Sequence, residues 1–479
     1  MLKRLMVEEQ VVAGRGERAS PAGWVLASLS LSMLLPSLGT SIANVALPTL
    51  AEAFGASLQE VQWIVLAYLL ATTTLIVGAG RLGDILGRRR LLIAGVLAFT
   101  LASLVCAVAS TLWVLIAARA AQGLGAAAMM ALTMAFVGDT VPKERTGSAM
   151  GLLGTTSAIG TALGPSLGGV LIAGFGWQAI FAVSAALGVV TLLLAMRVLP
   201  AGRRAPAAER AVFDGIGTAL LALTLGAYAL AMTLGRGTFG ALNAMLLLAA
   251  AAGAGIFVTA ERRAASPLIP LATFGDPALA AGLAMSALVS TVVMATLVVG
   301  PFYLARALGL EAALIGAVMS AGPLVAALAG VPAGRVVDRL GASRMTIAGL
   351  SAMAGGSAAL SLVPANFGIT GYVAAVVVIT AGYALFQAAN NTAVMTDVGA
   401  ARRGVVSGML NLARNLGLIT GASVMGAVFA LASAAAGAAT RAQAAAFGLR
   451  ITFALAAGLM VAALAMAVVS RAMARREPR

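Results

Sequence analysis

Of the 479 residues, 61% are apolar and only 10% are charged, against roughly 25% charged residues in soluble domains. So few charges cannot coat a water-soluble body of this size, which excludes a soluble enzyme, a disordered chain and a disulfide scaffold and makes this an integral membrane protein. The net charge is +15 with no histidine at all, which removes His-based proton relays and argues against a zinc or haem site; no cofactor or metal is expected. Cys106 alone permits no internal disulfide.

Residues 1–20 carry Glu8, Glu9 and Glu17 ahead of an apolar run far longer than the core of a signal peptide, so a polar cytoplasmic tail is predicted there. A bilayer crossing takes about 20 apolar helical residues. Stretches free of Asp, Glu, Lys and Arg run over 19–51, 61–80, 91–118, 120–138, 146–196, 215–235, 237–260, 277–305, 312–334, 345–396, 404–413 with 415–440, and 451–470. The stretches 146–196 and 345–396 are each long enough for two crossings. Turn signals divide them at Gly174-Phe175-Gly176 and at Pro364-Ala365-Asn366-Phe367-Gly368. Fourteen transmembrane helices are predicted, with a six-helix unit over 21–199, linkers and two inserted helices over 200–276, a second six-helix unit over 277–471 and a tail over 472–479.

Fourteen crossings put both termini and every even-to-odd loop on one side. That side holds 25 of the 31 basic residues; Arg236, Arg306, Arg441 and Arg450 lie on the other, and Arg119 and Arg414 fall within the membrane. Positive loops mark the cytoplasmic side. The high charge is therefore topogenic and faces anionic lipid, and no nucleic-acid partner is expected.

The loop after the second span reads Gly80-Arg81-Leu82-Gly83-Asp84-Ile85-Leu86-Gly87-Arg88, and the loop after the tenth reads Gly334-Arg335-Val336-Val337-Asp338-Arg339-Leu340-Gly341. The frame Gly-x-x-x-Asp-x-x-Gly thus recurs 254 residues on, as expected of two parallel six-helix repeats separated by two extra helices. The fourth span carries Arg119-Ala120-Ala121-Gln122-Gly123. The fifth carries Gly160-Thr161-Ala162-Leu163-Gly164-Pro165-Ser166-Leu167-Gly168-Gly169, and the first ends in Asn44-Val45-Ala46-Leu47-Pro48.

With these motifs in this order, the chain resembles the major facilitator superfamily, and within it the fourteen-span drug/proton antiporters. The resemblance implies an all-α polytopic fold of two six-helix bundles plus a two-helix insert. It also implies export of small amphiphilic molecules, drug- or antibiotic-like, by rocker-switch alternating access with proton antiport. A facilitator or importer of the same fold is the alternative, and a membrane sensor or membrane enzyme the third reading. The expected partners are a small-molecule substrate, protons and the lipid bilayer, and the expected form is a monomer in the plasma membrane.

Several roles follow. Asp84, flanked by arginines, can pair with a cation or a helix N-terminus and latch the halves on the cytoplasmic side. Gly80, Gly83, Gly87, Arg88, Asp338 and Arg339 belong to the same device. Gly160, Gly164 and Gly168 share one helix face for close packing, with Pro165 and Gly169 beside them, and Gly417 and Gly421 are their counterparts in the thirteenth span. Arg119 and Arg414 are costly inside a membrane and should face the interior with partners, either as fasteners of the bundle or in a cavity. With Thr40, Asn44, Gln122, Gln387 and Asn391 they form the candidate substrate cavity.

One position departs from the pattern. The family usually carries an aspartate in the first span where this chain has Gly39, and none of the 16 acidic residues falls mid-helix. Coupling must then use an edge carboxylate such as Asp84, Asp338 or Glu60, or the substrate's own protonation. Two arginines without an intramembrane acid favour anionic or neutral amphiphiles over lipophilic cations.

Overall fold

The structure is a computed structural model describing residues 22–140, 146–200, 214–234, 240–264, 267, 276–363, 367–396, 403–437 and 440–474. The described residues are almost entirely helical. In chain order the helices are α1 (Ala22–Ala53), α2 (Leu58–Val61), α3 (Trp63–Leu86), α4 (Arg88–Ala107), α5 (Leu112–Thr140), α6 (Thr146–Phe175), α7 (Gln178–Val198), α8 (Gly215–Thr233) and α9 (Ala241–Arg263). The second half holds α10 (Pro277–Arg306), α11 (Ala312–Met319), α12 (Ala321–Leu340), α13 (Ala342–Leu362), α14 (Gly368–Thr396), α15 (Arg403–Thr420), α16 (Gly426–Ala435) and α17 (Arg441–Ala474). One π-helical turn, Gly421–Met425, joins α15 to α16.

Helix ends follow local chemistry. Ser57 and Glu60 form a reciprocal capping box that starts α2 in the first interhelical loop. Asp276 caps α10 by accepting from the backbone N–H groups of Ala278 (2.9 Å) and Leu279 (3.3 Å), with Pro277 at the first helical position. At the cytoplasmic loop frame, Gly87 ends α3 with φ +96° and Gly341 ends α12 with φ +87°. The last glycine of each copy therefore adopts backbone angles that L-residues avoid, and each donates its N–H back into the helix, to Gly83 and Val337.

Among the described residues twelve helices are long and apolar enough to cross a membrane. A shorter apolar helical stretch covers Ile159–Phe175 within α6, and α3 adds a 24-residue helix. The outside of the molecule is apolar: Leu223, Leu248 and Leu328 are each at least 70% exposed, the inverse of a water-facing surface. The tails, the stretch 201–213 and residues 397–402 lie outside the described residues.

Packing divides the helices into two bundles and a pair. In the first bundle α1 lies on α6, α3 on α5, and α4 on α5 and α7. In the second, α10 lies on α15 and α17, α13 on α14 and α17, and α12 on α14. The repeat seen in the loop frame extends into the packing. An added Cβ on Gly125 of α5 would lie 2.6 Å from the carbonyl of Gly95 in α4, and one on Gly349 of α13 would lie 2.7 Å from that of Gly382 in α14. Gly95 and Gly349 are again 254 residues apart. In the same way Gly160, Gly164 and Gly168 of α6 press on Leu34, Ser41, Ile42 and Val45 of α1, while Gly417 and Gly421 press on Ala287 to Met294 of α10. The inserted pair, α8 and α9, packs together, and α8 touches both bundles, at α3 and at the π-helical turn.

Candidate functional site

The bundles meet where α6 crosses α11. An added Cβ on Gly169 would stand 2.7 Å from the Ala312 carbonyl and 2.9 Å from Gly316 Cα, so these backbones touch directly. Gln62, at the start of α3, abuts Gly426 of α16 at the same end of the molecule. Only glycine allows approaches this close, and together the two contacts close one end of the interface.

Next to that closure lies a small cavity of about 90 Å³. It is lined by Thr161 of α6, Val293, Thr296 and Leu297 of α10, Met319, Gly322, Pro323 and Ala326 around the α11–α12 break, and Tyr372, Val376 and Thr380 of α14. Its wall is apolar, with hydroxyl groups from three threonines and Tyr372. Tyr372 is held by its Oη contact with Met319 Sδ (3.5 Å) and by stacking on Tyr303 at 5.9 Å between ring centroids. All but Thr161 belong to the second bundle. Apart from Thr161, which stands in the fifth-span motif, none of these residues is marked by the sequence, where a threonine on an apolar helix looks the same whether it faces a cavity or a neighbour.

The sequence-selected polar residues are placed differently. Arg119 is fully buried inside the first bundle. Its Nε donates to the Ile64 carbonyl (2.9 Å), its Nη1 donates to Gln122 Oε1, and its guanidinium carbon lies 4.2 Å from the centroid of the Tyr68 ring. Gln122 Nε2 donates onward to Ser103 Oγ at 2.7 Å. This network fastens α3, α4 and α5 and does not border the cavity. The cation thus has two charge-assisted bonds and an aromatic face, while its buried Nη2 has no hydrogen-bond partner among the described residues. Thr40 and Asn44 bond within their own helix, Thr40 Oγ1 to the Pro36 carbonyl and Asn44 Nδ2 to the Thr40 carbonyl, each at 2.9 Å.

Arg414 is different. It is half-buried, on α15, and faces Gln387 of α14. With its amide turned to satisfy both neighbours, Gln387 accepts from Nε and Nη2 of Arg414 and donates to Tyr383 Oη at 3.2 Å. Asn391, four residues on, is also half-buried, and Asn390 ties α14 to α10 through the Gly282 carbonyl (3.2 Å). Tyr372, Val376 and Thr380 recur with helical spacing, and Tyr383, Gln387 and Asn391 continue that face of α14. The structure thus brings Arg414, Gln387 and Asn391 into one neighbourhood, in line with the cavity, and separates them from Arg119, Gln122, Thr40 and Asn44.

At the loop frame, Gly83 lies against Leu132 of α5, Asp338 and Arg339 are exposed, and Arg88 is half-buried. The side chain of Asp84 lies outside the described residues. Arg89, next along, donates to the carbonyls of Leu199 (2.8 Å) and Met196 (2.7 Å) and caps the C-terminal end of α7. Glu60 belongs to the capping box, with its Oε2 accepting from Ser57 N and Oγ at 2.7 Å each.

The family model described as Major Facilitator Superfamily matches residues 29–422. The chain is 31% identical over 416 residues to the multidrug resistance protein Stp of Mycobacterium tuberculosis, covering 85% of this chain and 75% of that protein. It is 32% identical to the uncharacterized transporter YebQ of Escherichia coli (80% and 84% covered) and 29% identical to the riboflavin transporter RibZ of Clostridioides difficile (85% and 88%). Among solved structures, a bacterial homolog of the human lysosomal transporter Spinster superposes with a TM-score of 0.70 at 16% identity, over 94% of this chain and 96% of that one. A family match across most of the chain, two half-molecules carrying the same glycine contacts, and a cavity between them agree: the chain belongs to the Major Facilitator Superfamily of multi-pass membrane transporters.

Proposed function

We propose that this transporter is an exporter of small amphiphilic molecules, anionic or neutral, working by alternating access between the first six-helix unit (21–199) and the second (277–471). Residues 200–276 supply the two inserted helices, which gives fourteen spans, and both termini are cytoplasmic in the plasma membrane. The observation that carries the reading is the apolar cavity shared by α6, α10, α11, α12 and α14 beside a closed glycine contact. With the basic loops inside, the Gly169–Gly316 contact is the external gate, and the cavity is reached from the cytoplasm, as an exporter loading its substrate requires. The name of Stp supports efflux. The name of RibZ supports the alternative, an importer or facilitator with the same cavity.

Proton antiport is part of the proposal and rests on the resemblance of α6 to the antiporter motif. Among the described residues no carboxylate sits mid-helix, and Glu60 is occupied as a helix cap. The proton is therefore carried by Asp84 or Asp338, or by the substrate. Proteoliposomes loaded with a fluorescent amphiphile test both parts. Transport that speeds up when the pH gradient is imposed supports antiport, whereas transport indifferent to the gradient removes it. In cells, the expected result is lower accumulation of the amphiphile when the protein is present; higher accumulation would establish import.

A further inference from the structure

We infer that Arg414, set by Gln387 and Tyr383, receives the carboxylate of an elongated amphiphile whose apolar body lies in the cavity lined by Tyr372, Val376 and Thr380. This rests on the export reading and names the substrate class of the same site. Three observations carry it. Arg414 is half-buried, unlike Arg119, so its guanidinium can be reached. Gln387 takes Nε and Nη2, and the remaining N–H groups have no partner among the described residues. That leaves the Nη1–Nη2 edge free, a planar pair of donors matched to the two oxygens of a carboxylate. Among the described residues no carboxylate stands mid-helix to occupy it: Glu52, Asp84, Asp139, Glu261 and Asp338 lie near helix ends, and Glu60, Asp214, Asp276 and Glu311 at helix starts or caps.

The helix also supplies a ruler. Thr380 marks the cavity wall and Gln387 the head site, seven residues apart on one face of α14, which is about 10 Å along the axis. A ligand must therefore hold its charge about that far from its apolar body. A compact aromatic acid satisfies one site or the other, not both.

The test uses the full-length protein in phosphatidylcholine nanodiscs, with empty nanodiscs subtracted, and three fluorescent probes: dansylaminoundecanoic acid, its methyl ester, and N-dansylglycine. The long acid is expected to bind about 10–100-fold more tightly than its ester, the equivalent of a charge-assisted hydrogen bond. Arg414→Gln is expected to bring the acid down to the level of the ester and leave the ester unchanged. Arg414→Lys, which keeps the charge but not the fork, should fall between. N-dansylglycine, held in the cavity by its ring and too short to reach Arg414 from there, should bind weakly and not respond to Arg414→Gln. Equal binding of acid and ester to the unmodified protein overturns the inference without any variant. So does a loss that is the same for acid and ester in Arg414→Gln. If acid and ester bind equally and the ester is still transported, only the carboxylate site is lost. If neither binds nor is transported, the export reading fails with it.

Discussion

Arg119 and Arg414 look alike in the sequence, each a lone cation in an apolar run, yet they have opposite fates. Arg119 is buried against α3 and Gln122 with Nη2 already unpartnered among the described residues, so removing Gln122 leaves a second donor of a buried cation without a bond. Gln122→Leu is expected to lower stability by roughly 2–3 kcal/mol in a thermal melt in detergent. Thr259→Val on the exposed face of α9, where the hydroxyl only bonds the Ile256 carbonyl of its own helix, should stay within about 0.5 kcal/mol. The i to i+3 spacing made the Arg119–Gln122 pair legible in the sequence. Ile64 and Tyr68, which reach Arg119, and Ser103, which accepts from Gln122, were not legible, because they come from other helices. Gln387 and Asn391 were readable as one face, but nothing local says that the face meets Arg414, 27 residues beyond Gln387.

At the scale of elements, the loop frame was the strongest sequence signal, and the structure divides its three kinds of glycine. Gly87 and Gly341 hold positive φ; Gly83 makes room for Leu132; Gly80 and Gly334 face open space. Gly87→Ala and Gly341→Ala are each expected to cost about 1–3 kcal/mol in the same melt, and Gly80→Ala and Gly334→Ala to be neutral or slightly stabilising. If all four behave alike, the backbone account of the frame is wrong. Gly169 and Gly316 act between elements, where their backbones touch. Gly169→Leu would drive a side chain into the Ala312–Gly316 backbone and hold the halves apart at that end. The expected result is a folded protein whose transport is lost and whose spin-label distances across the external gate lengthen. Apolar runs predicted where helices lie. They could not show the break at Ser320 or the π-helical turn after Thr420, since both arise where one helix packs against another and the sequence stays uniformly apolar.

For the whole molecule, two parallel halves and an inserted pair follow from a 254-residue repeat and the spacing of charges, which are long-range regularities that a single sequence preserves. The cavity does not follow from them, because it is a space between helices lined by side chains of ordinary type. Gly39 connects this scale to energetics. An added Cβ there would sit 3.4 Å from Phe99 and 3.7 Å from Tyr68 Oη, in ordinary contact, with the Tyr68 ring against Arg119. Gly39→Asp is therefore expected to fold, to place a protonatable carboxylate beside the buried arginine network, and to steepen the response of transport to an imposed pH gradient. An unchanged response would contradict that placement.

Passage of substrate through the cavity between the halves is the step on which the proposed transport rests. Its most direct test is transport into proteoliposomes of a dansylated undecanesulfonate, an amphiphile whose head stays ionised and does not cross lipid unaided. The expected result is saturable uptake by the unmodified protein, abolished when Thr380→Trp fills the cavity and retained in Thr259→Val. Uptake in Thr380→Trp equal to that of the unmodified protein, or no uptake above protein-free liposomes, would contradict the account.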